Sequence, residues 1–314
     1  MRWSLRPAVS PPPAPFPARG LVGWRRIVVR WCTLLLAAFQ AVAPAADDAA
    51  ALLERHVALQ PQLMASGFGE PVLLTSSESA GLLQGDVHAE VPHPMAALQQ
   101  AVGTPRALCE LLLLHLNVHT CQPVREASGD ALDLVLGPKR VGAVGITQHL
   151  HFAVQVQASG PAYLRVTLQA AGGSMSTQGD RLVFEAVPLA AGGSFVHLGY
   201  AYRVGLLARL SMKAYLATAG HDKIGFTVES RDASGRPQPI TGERAAIERN
   251  VMRYYLALLA SCSVSAGSPA QQRLARQRTW FALTERHAAQ LHEYGLDDYL
   301  QHKRTLEAAG SPPR

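Results

Sequence analysis

Ser194-Phe195-Val196-His197-Leu198-Gly199-Tyr200-Ala201-Tyr202-Arg203-Val204 puts Val196, Leu198, Tyr200 and Tyr202 on one side of an extended chain, because successive side chains of a strand point to opposite faces. Gly192-Gly193 breaks the chain just before it, and Arg181 to Leu189 forms another strand-like run upstream. Further back, Tyr163 to Gln169 sets Leu164, Val166 and Leu168 on one face, after a turn at Gly160-Pro161. His149 to Gln157 alternates as well, with Leu150, Phe152, Val154 and Val156 opposite His149, His151, Gln155 and Gln157. Leu132 to Leu136 does the same and stops at Gly137-Pro138. Successive half-buried strands joined by short turns make a meander, so the pattern predicts one curved antiparallel sheet rather than a parallel α/β sheet.

Helical patterns flank this run. Gly85 to Val91 reads as one more strand, ended by Pro92-His93-Pro94. A helix follows with Met95, Leu98 and Val102 at helical spacing, and a second after Thr104-Pro105 carries Leu108, Leu111, Leu112 and His115. Ala49 to Met64 reads as a short amphipathic helix broken at Pro61. Downstream, Leu206 to Thr218 is helical between Gly205 and Gly220, and a long helix runs from Gly242 to about Ala260. The long helix has an apolar stripe of Ile247, Val251, Tyr254, Tyr255, Leu258 and Leu259, which predicts that it lies on the sheet. Arg244, Glu248 and Arg253 fall opposite, on a face read as solvated; Arg249, repelled by Arg253, points either to solvent or to an acidic partner or ligand. Gln271 to Ala309 reads as helical throughout after a hinge at Ser263 to Pro269, and its Trp280-Phe281 pair either packs back on the domain or docks a partner protein.

The basicity of the chain belongs to one end of it. The protein has 29 Lys and Arg against 23 Asp and Glu, net +6. Six arginines and no acidic residue precede position 46, and setting those six aside leaves 23 basic against 23 acidic residues. A nucleic-acid-binding protein carries a basic face, so nucleic acid is not expected as a partner. Arg25, Arg26 and Arg30 precede the apolar run Trp31 to Phe39, and small residues end in Ala43-Pro44-Ala45. This is the build of a signal peptide cleaved near Ala45, and the rival reading, an uncleaved anchor, needs a longer span. Export to the periplasm is therefore expected, with no stable membrane span after cleavage. The Pro-rich stretch from Pro7 to Pro17 is unusual ahead of such a signal and raises the question whether Met1 is the natural start. The expected organisation is a leader over 1–45, an N-terminal helical segment over 46–83, an α+β domain over 84–262 and a helical extension over 270–309.

Three cysteines follow the leader. Cys109 and Cys121 sit at a spacing that closes a small loop in an oxidising compartment, the other reading being two independent buried thiols. Cys262 is left over as a plain thiol. Enzyme motifs are sparse: His115 and His119 lack the Glu of a zincin pair, His149 and His151 make at most a half-site, and no Gly-x-Ser-x-Gly elbow or dinucleotide fingerprint occurs. No metal, no cofactor and no catalytic residue is assigned.

The strand running into a helix through Val87-His88-Ala89-Glu90-Val91-Pro92-His93-Pro94, then a meander and a long late helix, resembles the START-like helix-grip (SRPBCC) superfamily, which includes polyketide-cyclase-like and plant-allergen-like proteins. The resemblance covers about 84–260. The chain also resembles a set of exported bacterial proteins of uncharacterised function through Leu113-Leu114-His115-Leu116-Asn117-Val118, Ser194-Phe195-Val196-His197-Leu198 and Glu248-Arg249-Asn250-Val251-Met252-Arg253-Tyr254-Tyr255. The superfamily resemblance implies an α+β fold in which a curved antiparallel sheet grips the long helix, with extra helices, around a cavity for a lipid, polyketide or quinone-like molecule. The apolar faces alone fit a filled core as well as a cavity wall. Tyr200, Tyr202, Tyr254, Tyr255, His197 and Arg249 are the candidate ligand-binding residues, the hydroxyls orienting a ligand. The expected function is non-catalytic binding of an apolar small molecule; a cyclase- or hydrolase-type enzyme using Arg249, Tyr254 or His197, and a structural envelope protein, are the alternatives.

Overall fold

Eight antiparallel strands form one sheet in the computed structural model, which describes residues 43–139, 147–170, 172, 177–205, 223–264 and 266–310. The leader and the helix expected over 206–218 lie outside the described residues. The strands are β1 (Val72–Ser79), β2 (Leu82–Val91), β3 (Val118–Glu126), β4 (Gly129–Leu136), β5 (Gln148–Ser159), β6 (Leu164–Gln169), β7 (Thr177–Pro188) and β8 (Ser194–Val204). Their order across the sheet is β1-β2-β8-β7-β6-β5-β4-β3, so a six-strand meander returns its last strand to the side of β2. Register shifts at Val118/Thr120, Val156/Ala158 and Gln178/Arg181 interrupt the ladders. Such bulges bend a strand and increase its twist, which is how a sheet comes to curve.

β1 is an addition to the expected order, since 46–83 was read as helical. Its sequence, Val72-Leu73-Leu74-Thr75-Ser76-Ser77-Glu78-Ser79, has no sustained alternation. It is held by pairing with β2 along its whole length. The hairpin turns on Ala80 and Gly81, both at positive φ (47° and 77°), the backbone that two-residue hairpins need. β3 is likewise new: polar, with Pro123 inside, it sits at the opposite edge, where a missing N–H costs no ladder bond on the open side.

Between β2 and β3 come two short helices, α2 (Met95–Val102) and α3 (Pro105–Leu112), preceded in the chain by α1 (Ala43–Met64). Thr104 caps α3, its hydroxyl accepting from the Ala107 N–H at 3.2 Å, and Pro105 opens the first turn, where its missing N–H matters least. α1 passes through Pro61 and stops at Met64, so the proline removes one hydrogen bond near the end of the helix instead of breaking it there. A disulfide joins Cys109 on α3 to Cys121 on β3. It fastens the helix to the edge strand.

The long helix α4 (Gly242–Cys262) lies on the inner face of the sheet. Gly85 of β2 makes the close approach possible: a Cβ there would stand 3.1 Å from the Val251 side chain. Inward-facing Val87, Leu198, Phe184 and Val166 align in one row across β2, β8, β7 and β6 and join the core with Val251, Met252 and Leu256. The expectation that the second face of α4 is solvated is corrected for Glu248 and Arg253, which are 0% and 1% exposed. That face is covered by residues 223–240, by α5 (Pro269–Glu285) and by α6 (Ala288–Leu291), while α7 (Leu296–Gly310) packs beyond them on α5 and β3. The result is an α+β helix-grip: a curved antiparallel sheet around a helix buried on all sides.

The C-terminal region is three helices, not one. Ser268 and Gln271 form a reciprocal capping box that starts α5. The chain then leaves helical geometry at His287, and at His292 beyond α6. Trp280 is 1% exposed and donates its indole N–H to the Arg253 carbonyl at 3.1 Å, while the Trp280 and Phe281 rings pack on Tyr299. These aromatics pack back on the domain. Ala45–Arg314 forms one compact unit.

Candidate functional site

The site begins with strand parity. Even-numbered residues of β8 face α4, and three rings gather there: Tyr200 lies 5.3 Å from Tyr202 and 5.7 Å from Tyr254 of α4, edge to face with the latter. Tyr254 in turn packs at 5.1 Å on His115, which follows α3. The Tyr200 hydroxyl donates to Asp180 Oδ1 at 2.9 Å, and Thr177 donates to the other oxygen at 2.9 Å. Asp180 is 1% exposed, so its charge is held by these donors deep in the protein. Burial pushes the hydroxyls of Tyr200 and Tyr254 well up from the ordinary phenol value.

Tyr200 and Tyr254 nevertheless keep accessible surface, unlike Tyr202 and Tyr255. Leu136, at the end of β4, and Lys139, just beyond it, share this character: Lys139 retains 36% of its side-chain exposure, while its ammonium is pushed down to about 8 by desolvation and then by the nearby Arg253 guanidinium.

A charged cluster closes this end. Lys139 Nζ donates to Glu293 Oε1 at 2.7 Å, Arg253 to the same oxygen at 3.0 Å, and Lys223 to Oε2 at 3.2 Å. Three cations from three separate parts of the chain thus converge on one carboxylate. Burial works against that charge, yet Lys139 and Arg253 hold the Glu293 carboxyl below its usual range. His115 is 3% exposed; its Nδ1 accepts weakly from the Asn117 N–H at 3.5 Å, which leaves the proton of the neutral ring on Nε2. Desolvation first, then Arg253, Lys139 and Lys303, keeps the ring neutral by driving its pKa well below the ordinary value. Nε2 has no hydrogen-bond partner among the described residues.

The six candidate residues separate into groups. Tyr200, Tyr202 and Tyr254 come together as described. Tyr255 is one position further along α4, about 100° round the helix, and is buried in the main core at 2% exposure. Arg249 donates to the Ile224 carbonyl at 3.0 Å, beside Glu248, which accepts from the N–H groups of Phe226 (2.6 Å) and Thr227 (3.0 Å) and from the hydroxyls of Thr227 and Ser76. This acid and base, adjacent on α4, fasten residues 224–227 to the helix.

His197 does not lie on the face of the tyrosines, a correction that follows from its odd position on β8. It lies on the outer face in a cross-strand row with His88, Glu185 and Arg165. Its ring donates from Nε2 to Asp86 and from Nδ1 to Glu185, both at 2.8 Å, and stacks on His88 at 4.5 Å. Burial opposes the charge, but these two carboxylates raise His197 to about 9, and the imidazolium keeps both carboxyls below their usual range. His88, desolvated and beside that cation, falls to about 4. Glu185 also accepts from Tyr163 (2.6 Å) and Arg165 (2.9 Å). α1 covers the row, with Leu52 and Leu63 packing among Tyr163, Val187 and Phe195.

Sequence reasoning missed Lys139, Lys223, Glu293 and Asp180. Each sits in a turn, a loop or the start of a strand, at a position where a charged residue ordinarily faces water.

No family model matches the chain, and no curated protein does. Among solved structures it is similar to Ara h 8.0201, at 13% identity and a TM-score of 0.30 over 45% of this chain and 92% of that one. Truncated norcoclaurine synthase from Thalictrum flavum gives 12% and 0.30 over 46% and 91%. Human STARD10 gives 8% and 0.30 over 47% and 69%.

Proposed function

We propose that this is an exported protein that binds an apolar small molecule, of lipid, polyketide or quinone-like kind, between the inner sheet face and α4 without turning it over. The observation that carries the reading is the accessible surface kept by Tyr200 and Tyr254 deep between sheet and helix. Pockets of this make-up, apolar walls with a few placed polar groups, are what small apolar ligands use. The Cys109–Cys121 disulfide supports export, because such bonds persist in oxidising compartments. Among the described residues no helix is long and apolar enough to cross a membrane.

The test combines two measurements. Native mass spectrometry of protein recovered from the periplasm of its own cells is expected to show a co-purifying apolar molecule. The neutral dye N-phenyl-1-naphthylamine is expected to bind with enhanced fluorescence, and Tyr254→Trp, which adds bulk between sheet and helix, to weaken it about tenfold. Protein that carries no molecule and leaves the dye dark overturns the reading.

A further inference from the structure

Where α3, α5, α7 and the start of β3 meet, the chain leaves a cavity of about 280 Å³. Leu113, Leu114 and Leu306 give it an apolar wall. Arg106, Arg273, Arg276 and Lys303 bring four cations to the lining, against the two carboxylates of Glu110 and Glu307, an excess of two positive charges. The first turns of α3 and α5 also border it, at Arg106 and Pro269, and a helix start carries partial positive charge.

The excess is sharpest at Lys303. The residue is 3% exposed, and its ammonium donates at 2.6 and 3.1 Å to the carbonyls of His115 and Val118, both neutral. Among the described residues no carboxylate forms an ion pair with it; Glu307 acts on it from further away. Buried charges are ordinarily paired, and burial pushes this ammonium down to about 7 although Glu307 favours its charge. An ammonium has three donors, and the two carbonyls use two. Arg276 adds a separate observation. Its terminal nitrogens are held by Glu110 and by Gln272 Oε1, while its buried Nε–H has no acceptor among the described residues. A buried donor left unmade costs free energy that an arriving acceptor recovers.

We infer that this cavity binds a small phosphate monoester, its phosphate received by Lys303, Arg273 and Arg276 and its organic part lying against Leu113, Leu114 and Leu306. A dianion balances the two excess charges of the lining. Guanidinium groups suit it because their fixed N–H donors match the spacing of phosphate oxygens. The site is separate from the region between sheet and α4, and it stands or falls independently of the apolar ligand proposed there.

The experiment titrates phenyl phosphate, benzoate and benzyl alcohol, which share one ring, into the disulfide-bonded protein by calorimetry in about 0.15 M sodium chloride. Phenyl phosphate is expected to bind about tenfold more tightly than benzoate, and benzyl alcohol not to bind. Arg273→Gln and Arg276→Gln are each expected to weaken phenyl phosphate about tenfold, and Lys303→Met to abolish its binding. Arg286→Gln, which lies on the same stretch of chain but bridges to Glu70 outside the lining, is expected to change nothing. Lys303 also holds the backbone after α3; if Lys303→Met does not fold, the two arginine variants carry the test. Equal binding of phenyl phosphate and benzyl alcohol overturns the anion, and benzoate bound as tightly as phenyl phosphate overturns the dianion. Phenyl phosphate that binds the folded arginine variants as well as it binds the unaltered protein overturns this cavity as its place. No binding of phenyl phosphate up to about 10 mM overturns the site altogether.

Discussion

The two faces of the sheet are built from the same strands and do opposite things. On β8, Val196, Leu198 and Tyr200 look inward to α4, an apolar surface that ends at the Tyr200 and Tyr254 rings; Phe195 and His197 look outward to α1 and to a row of charges. The inner face keeps its few polar groups around the tyrosines: Asp180 accepts from Tyr200, and His115 packs on Tyr254. The outer face gathers its polar groups in the middle, where each is met by another side chain: Asp86, His197, Glu185, Tyr163 and Arg165 form one continuous set of bonds. Adjacent residues of one strand can therefore belong to different tasks, and a candidate list drawn from neighbours in sequence mixes the two.

The sharpest way to break the comparison is to damage each face and ask what is lost. Phe184→Ala removes a ring that is 2% exposed from the inner row. It is expected to cost about 3–5 kcal/mol in urea unfolding, through lost burial and the cavity left behind. His197→Gln on the outer face is expected to cost about 2 kcal/mol near pH 6, because two half-buried carboxylates lose the cation they share and only Glu185 keeps another, Arg165. The pH dependence separates this from plain packing. His197 is raised in the folded protein to about 9, so its contribution is full below the unfolded value near 6.5 and is lost as pH rises through about 9. The penalty of the variant, measured by urea unfolding across pH 6 to 9.5, should therefore shrink with rising pH; a penalty independent of pH would remove the charge from the account. Tyr200→Phe is the mildest change. It deletes the hydroxyl that donates to Asp180 and is expected to cost about 1 kcal/mol, with dye binding retained.

Much of the fold was legible because the strands alternate. β8 runs over the same residues that its alternation marks, and the helix from Gly242 ends within two residues of its expected limit. β1 was not legible, because Thr75 to Ser79 carry neither apolar residues nor a period, and their strand exists only through pairing with β2. β3 was hidden by Pro123, which an edge strand tolerates. The buried charges of α4 were read as a solvated face for a sound reason: a helix with polar residues opposite its stripe ordinarily faces water. What covers them, residues 223–240, α5, α6 and Glu293, is a matter of tertiary packing that no local pattern announces. The cluster around Glu293 was invisible for the same cause, since Lys139, Lys223, Arg253 and Glu293 are distant in sequence. Tyr200, Tyr202 and Tyr254 do gather on one side, Tyr255 turns into the main core, and His197 was assigned to their side although its odd position points the other way.

Near the end of the chain, Lys303 is 3% exposed and donates to the carbonyls of His115 and Val118 at 2.6 and 3.1 Å, while Tyr299 and His302 donate to those of Leu114 and Leu116. The backbone that leaves α3 and enters β3 thus receives its donors from residues nearly two hundred positions later. During synthesis those carbonyls stay with water until Lys303 has been added. The order of manufacture makes α7 the keystone, and a chain stopped before Tyr299 would lack all of these donors.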